Sequence, residues 1–421
     1  MPPCYDLRNK NMTVLRTLLC TCAASACLAQ SPAELLKDPT VRAALDAAKR
    51  NEPQAIEQEM RVCEIPAPPF HEEVRGRELK RLFDALGLQD VRIDRAGNVV
   101  GVRPGKSPHP NVVLAAHLDT VFPEGTDVKV TRDGDVLKGP GIGDDCRGLT
   151  VILSVARALN EAHVETPGTI TFVADVGEEG LGDLRGMKEL FGETLRGQVD
   201  RFISVDGTGL DIVHIGVGSN RYKVTFKGPG GHSYGDFGLA NPIQAMGRAI
   251  AKIDAFEVPQ EPKTTFNVGR VGGGTSVNAI PFEAWMEVDM RSADPASLKA
   301  VDTKFQEALK QAVDEENRRW ENRGPVSVSA ELVGVRPAGQ TPKDSPTVQT
   351  ALGVSRALDI DEVLREGSTD ANVPMNLGIP AITISGGGVG TGAHSLNEAF
   401  DTKDSWRGTQ RAVLLVVSLA R

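Results

Sequence analysis

The chain reads as an α/β protein in which a largely parallel sheet is interrupted by a smaller inserted α+β unit. Three observations lead there. Short apolar, β-branched runs alternate with amphipathic helical stretches over both the first and the last part of the chain, the pattern of a sheet buried on both faces. Between them, about Val217 to Ala338, the rhythm changes to strand, helix, two strands, helix, strand. The length, 421 residues with 40% hydrophobic content, exceeds what one core usually serves, so two compact bodies are expected.

The elements follow in order. Ala33 to Met60 carries helical spacing of Leu35, Val41, Leu45, Ala48 and Ile56, and Ile65-Pro66-Ala67-Pro68-Pro69-Phe70 must be loop. Glu72 to Leu86 is an amphipathic helix. Strands are then expected over Asn111 to Ala116, Thr169 to Ala174, Phe202 to Val205 and Ala381 to Ser385. Helices are expected over Leu149 to Ala162, Leu184 to Phe191, Thr347 to Leu358 and Ser405 to Leu419. Within the insert, strands read at Arg221 to Lys227, Thr264 to Arg270, Glu283 to Arg291 and Val326 to Val335, with helices Ala240 to Phe256 and Pro295 to Arg319. The division is therefore 1–29 leader, 30–216 first part of the main domain, 217–338 insert, and 339–421 second part.

The leader stands apart. Lys10 and Arg16 precede a short apolar run that exits through Ala23-Ala24-Ser25-Ala26-Cys27-Leu28-Ala29, which has the layout of a secretory signal cleaved after Ala29. The expected location is exported, periplasmic or secreted, with lipidation at Cys27 as a variant and a cytoplasmic protein if the leader does not function. Cys4, Cys20, Cys22 and Cys27 lie in the leader, so Cys63 and Cys146 are left, too few for a disulfide framework or a cysteine zinc site. Cys146 is expected to be a small buried thiol, with zinc thiolate as the lesser reading. The net charge of -9 argues against nucleic acid or an anionic membrane as partner, and no later apolar run suits a stable membrane span.

Chemistry-bearing residues recur at strand ends. Asn111 to Ala116 leads into His117-Leu118-Asp119, where α/β sheets bind ligands and where Asp119 can orient the imidazole. Gly139-Pro140-Gly141-Ile142-Gly143-Asp144-Asp145 brings two carboxylates to a helix start, more than capping requires. Asp175-Val176-Gly177-Glu178-Glu179-Gly180 pairs two glutamates, which offer a ligand and a base. Phe202 to Val205 ends in Asp206, and Ala381 to Ser385 leads through glycines to Ala393-His394-Ser395. Two imidazoles and three carboxylates suit two zinc ions, one carboxylate bridging them. Neither glycine-rich loop carries a P-loop ending, and neither Ser368 nor Ser395 has a nucleophile elbow or triad.

These linked motifs, from about Glu64 to the C-terminus, resemble the dinuclear-zinc exopeptidases that include tripeptide aminopeptidase, carnosinase-type dipeptidases, carboxypeptidase G, aminoacylases and succinyl-diaminopimelate desuccinylase. The resemblance implies a zinc-exopeptidase catalytic domain with an inserted lid or dimerisation domain. It implies two zinc ions, with cobalt or manganese as substitutes, held by His117 and Asp206 on one side and by Glu179 and His394 on the other, with Asp144 bridging. It implies Glu178 as general base and acid, Asp119 as the orienter of His117, and a cis peptide after Asp144. In the insert, Gly228-Pro229-Gly230-Gly231-His232-Ser233, Ser276-Val277-Asn278-Ala279-Ile280-Pro281 and Asp289-Met290-Arg291 match the family's motifs. They imply His232 and Asn278 near the substrate carbonyl, Arg291 on a carboxylate, and a homodimer through the insert. Gly367-Ser368-Thr369-Asp370-Ala371-Asn372 resembles the substrate-side loop. Where relatives carry Asp-Asp-Lys-Gly, this chain has Asp144-Asp145-Cys146-Arg147-Gly148.

The expected substrate is a short peptide. Asp206 rather than Glu implies the aminopeptidase or dipeptidase side of the family. A carboxypeptidase or N-acyl-amino-acid deacylase is the alternative, and an inactive zinc-bearing peptide-binding protein is the alternative outside enzymes.

Overall fold

The structure, a computed structural model, describes residues 30–421, so the leader and its four cysteines lie outside the described residues. Its main body is a nine-stranded mixed sheet. Four parallel strands form the centre, in the order Thr169–Asp175, Asn111–His117, Arg201–Val205 and Ala381–Ile384. Asn111–His117 and Thr169–Asp175 are buried along their whole length, which explains why their sequences are continuous apolar runs rather than alternating ones. Val99–Arg103 and Gln89–Ile93 extend one side in antiparallel fashion, and Ile212–Gly216, Gly339–Gln340 and Leu364–Gly367 extend the other.

Helices cover both faces. The apolar Cys146–Glu161 and Trp406–Leu419 helices pack against the sheet and against Pro39–Arg50. The single helical stretch expected over Ala33 to Met60 is broken into Pro32–Leu35, Pro39–Arg50 and Glu52–Cys63. Each piece has proline in its first turn, where the missing N–H does no harm, and the same proline ends any continuous helix before it.

The inserted segment is a four-stranded antiparallel sheet in the order Thr264–Gly273, Glu283–Ser292, Gly218–Lys227, Ser327–Arg336. Its helices Pro242–Asp254 and Pro295–Arg319 share a separate core with Val224, Phe226, Met286, Met290 and Phe305. Strand alternation sets the two faces: Tyr222, Val224 and Phe226 point into this core, whereas Ser219, Arg221 and Lys223 lie on the opposite face.

Two features differ from expectation. Cys146 is not a free thiol: it is disulfide-bonded to Cys63, with Cα atoms 5.5 Å apart, and joins the end of Glu52–Cys63 to the start of Cys146–Glu161. Their separation of 83 residues hides the pairing from any local reading. The second is a small sheet made from Thr131–Asp133, Val136–Lys138, Val389–Thr391 and Ala399–Asp401. Its strands are three residues long, too short for a visible alternation.

Candidate metal centre and active site

The carboxyl ends of the central parallel strands open into one cleft of about 470 Å³, lined by Asp144, Glu178, Glu179, Asp206 and His394 among others. His117 closes the Asn111–His117 strand and is buried behind it. Its Nε2 stands 3.1 Å from Asp144 Oδ1, while His394 Nε2 stands 3.1 Å from Asp144 Oδ2 and 3.0 Å from Glu179 Oε1. One carboxylate thus lies between two imidazoles, the arrangement of a bridging ligand. Ligand atoms of His117, Asp144 and Glu179, and those of His117, Asp145 and Asp206, also cluster closely enough to hold an ion.

The electrostatics fit a cation. Burial and the neighbouring Glu178 and Asp144 charges push Glu179 up to about 8, and burial with repulsion from Asp144 pushes Asp206 well above the usual carboxylate range. Burial opposes charge on His117 as well, yet the hydrogen bond to Asp144 and the surrounding carboxylates carry it upward. His394 is pushed up to about 9, chiefly by Asp144. So many acids held together stay ionised only with positive charge among them. The donor set, two imidazole nitrogens and carboxylate oxygens, is what zinc takes.

Local supports explain why the ligands stand where they do. The Asp144–Asp145 peptide is cis. Asp145 is buried and caps the Cys146–Glu161 helix, accepting from the N–H groups of Gly148, His117 and Gly207 at 3.0, 3.2 and 3.3 Å. Glu398, also buried, accepts from Gly141, Gly143 and Asp144 N–H at 2.9, 2.8 and 3.0 Å and fixes the loop ahead of the bridge. Arg147 donates to the carbonyls of Gly386 and Ser405, both at 2.8 Å, beside Glu52 and Glu59, and so anchors the loop that leads to His394.

Asp119 acts differently from the expected orienting carboxylate. His117 Nδ1 pairs with the backbone carbonyl of Asp119 at 3.0 Å, whereas the carboxylate lies 3.7 Å away. The carboxylate instead accepts from Gly177, Glu178 and Glu179 N–H at 2.9, 3.1 and 2.8 Å, so it shapes the turn that presents both glutamates. Gly177 has φ of 76°, and a Cβ there would strike Arg185, so this turn needs glycine. Asp119→Ala would leave three buried donors without acceptors, at roughly 1–3 kcal/mol for each such group. The expected result is a clearly lower melting temperature together with weaker metal uptake, read by calorimetry and metal analysis; unchanged values of both would remove this role.

Glu178 is buried beside the cleft, and its Oε1 is 2.8 Å from Arg336 Nη1. Arg336 also donates to the Glu178 carbonyl and, at 3.2 Å, to Ser368 Oγ. Arg291 lines the same cleft, with Arg221. His232 and Asn278 do not line it: both are exposed, joined to each other where Ser233 N–H donates to the Asn278 carbonyl. Their donors are nonetheless prepared. Tyr234 and Gly235 N–H both donate to His232 Nδ1 at 3.2 Å, which leaves Nε2 as the protonated nitrogen, and Ser276 Oγ occupies Asn278 Oδ1 at 2.6 Å, leaving the amide N–H₂.

Sequence reading missed Arg336, Arg221, Glu398 and the supporting role of Asp145. The doubled acid at Asp144-Asp145 was the one available signal; the others sit on ordinary strand or loop positions.

A model of peptidase family M20/M25/M40 matches residues 113–418. The chain belongs to this family. It is a hydrolase of a metallopeptidase family in which a Bacillus subtilis member, described as a dinuclear metal-binding peptidase, shares the fold at TM-score 0.66 and 18% identity over 88% of this chain and 98% of that one. This M20 chain is also similar in structure to aminopeptidase PepT from Bacillus cereus, with TM-score 0.73 and 22% identity over 88% of this chain and 99% of that one. At these identities the likeness concerns the fold. In sequence, the uncharacterized protein YqjE of Bacillus subtilis is 25% identical over 88% of this chain and all of its own length. The cytosol non-specific dipeptidase of Escherichia coli is 26% identical, over 61% of this chain and 58% of that protein.

Proposed function

We propose that this M20 peptidase is a zinc-dependent exopeptidase of short peptides. The observation that carries the reading is the convergence of His117, Asp144, Glu179, Asp206 and His394 at the carboxyl edge of one sheet, with Glu178 beside them. Two zinc ions would be held by His117 with Asp206 and by Glu179 with His394, Asp144 bridging; when bound they polarise the scissile carbonyl and acidify a water.

The residues supply the rest. Glu178 takes a proton from the attacking water as the new C–O bond forms, and returns it to the leaving nitrogen as the C–N bond breaks, so no covalent enzyme intermediate is needed. His232 Nε2–H and the Asn278 amide are the donors for the carbonyl oxygen as its negative charge grows. Since neither lines the cleft, a closing movement of the insert or a second copy of the chain paired through it must deliver them. Glu178 favours an enzyme over a metal-bearing binding protein, which needs the ligands and not a base.

The amino-end reading rests on Asp206. A carboxypeptidase or N-acyl-amino-acid deacylase is the second reading, favoured by the arginines that line the cleft. The zinc-loaded protein is expected to release the N-terminal residue of Ala-Ala-Ala and to spare the N-acetylated peptide. Product analysis by mass spectrometry decides: a blocked amino end cleaved as fast as a free one would move the assignment to the second reading, and two bound metals with no cleavage across a broad peptide panel would favour the binding protein.

The leader's layout supports export, and the Cys63–Cys146 disulfide agrees with an oxidising compartment.

A further inference from the structure

The chain crosses between the main body and the insert twice, side by side. Gly216 pairs with Gly339 as the last rung of the main sheet, and Ser219 pairs with Arg336 as the first rung between those two strands of the inserted one. Only Val217-Gly218 and Pro337-Ala338 lie between these rungs. Asn372, fully buried, stands against both crossings: its amide nitrogen donates to the Val217 carbonyl and to the Pro337 carbonyl, each at 2.9 Å. Its oxygen accepts from Thr369 N–H at 3.0 Å, which settles the way the amide faces. Glycine at 216 makes the room, since a Cβ there would come within 2.9 Å of Asn372 Cγ.

One side chain thus ties the crossings to the cleft. Thr369 lines the cleft together with Gly367, whose carbonyl accepts from Val217 N–H at 2.8 Å. Exposed Asn376 adds a bond to the Ala338 carbonyl at 2.9 Å, and Asp183 and Lys188, partly open to solvent, hold Val335 just ahead of the second crossing. Such exposed contacts restrain little. The strand Gly218–Lys227 runs outward from the first crossing, and His232 lies beyond its far end. A strand of that length reaches about 30 Å, so a tilt of about 2° at the crossing displaces His232 by about 1 Å, an error that costs on the order of 10²-fold in rate when it misplaces a reacting partner. Groups on a pivot move least. The two bonds of Asn372 sit at the crossings, so they persist while the far end swings and confine the swing to one arc.

We propose that Asn372 is a positioning residue for hydrolysis: a two-pronged pivot that keeps the insert on one arc, so that His232 and Asn278 reach the scissile carbonyl in register. Its third bond, to Thr369, refers that arc to the wall of the cleft. The role is the same whether the donors belong to this copy's insert or to a second copy paired through it, because the angle between insert and cleft is set at these crossings. This deepens the peptidase reading and rests on His232 being a donor to the carbonyl oxygen.

The test is a double-mutant cycle between Asn372→Ala and His232→Ala in the metal-loaded protein, with Ala-Ala-Ala as substrate. Asn372→Ala should lower kcat by about tenfold or more and leave KM within a few-fold, because the metal ligands and the cleft stay in place. His232→Ala alone should lower kcat by about 10²–10³-fold, the worth of one oxyanion donor. In the Asn372→Ala background it should cost less than about a tenth of that, as residues that act through one another do. An Asn372 that only stabilises the fold would lower the melting temperature and leave the cost of His232→Ala as it was, and that independence would overturn the proposal. If Asn372→Ala does not fold, Asn372→Ser, which keeps one donor, goes through the same cycle, and an undiminished cost of His232→Ala counts against the pivot in the same way. Small-angle scattering in solution reads the hinge apart from turnover: the radius of gyration should rise in the Asn372 variant, and a profile identical to wild type would also overturn the proposal. If wild type cleaves no peptide, or His232→Ala costs nothing, the peptidase or donor reading falls and scattering judges the pivot by itself.

Discussion

Glu178→Gln should lower kcat/KM by about 10²–10⁴-fold, the range supplied by a positioned general base, while the protein keeps its metal. The separation follows from geometry. His117 and His394 converge on Asp144 and Glu179 meets His394, all without Glu178, and the turn carrying Glu178 is held through its backbone N–H by Asp119, which the substitution leaves alone. Glutamine preserves shape but cannot take the proton. Metal analysis of the purified variant, with steady-state kinetics on one peptide, gives the answer. Turnover within a few-fold of wild type would mean that another group moves the proton. Loss of both metal and turnover would mean that Glu178 belongs to the ligand set.

Removing the Cys63–Cys146 bridge should destabilise the fold by on the order of 4 kcal/mol, as loop-closure entropy predicts for a separation of 83 residues. The site makes a large effect credible. Cys146 opens the helix that Asp145 caps, and next along that helix Arg147 is buried against Glu52 and Glu59 of the helix that ends in Cys63. Chemical denaturation of wild type, oxidised and reduced, beside a Cys63→Ala/Cys146→Ala double variant should show the loss as a lower midpoint. Reduced and oxidised protein with the same midpoint would mean that the bridge adds nothing to the folded state.

What could be read from the sequence follows a physical division. Asn111 to Ala116 and Thr169 to Ala174 were legible because strands covered on both faces need apolar side chains at every position. The acids and histidines were legible because they stand just past such runs, where nothing hydrophobic explains them. The supports were not. Arg147, Glu398 and Arg336 are charged residues whose burial depends on partners far away in sequence, such as Gly386, Gly141 and Glu178. A local window cannot tell a buried arginine that gathers carbonyls from one on a solvated face. Asp119 shows the limit in small form: the spacing to His117 pointed to the right residue, but the contact runs through its carbonyl and leaves its carboxylate for another turn. Arg291 was found by motif and lines the cleft, whereas His232 and Asn278, found in the same way, stand outside it.

The small sheet that carries His394 imposes an order of assembly. His394 lies in the hairpin between Val389–Thr391 and Ala399–Asp401, and that hairpin is placed by pairing Ala399–Asp401 with Val136–Lys138, from the first half of the chain. His117, Asp144, Glu179 and Asp206 all leave the ribosome before the insert is made; His394 follows it. A growing chain therefore carries most of a metal site with one wall open until the segment beyond the insert has paired with Val136–Lys138.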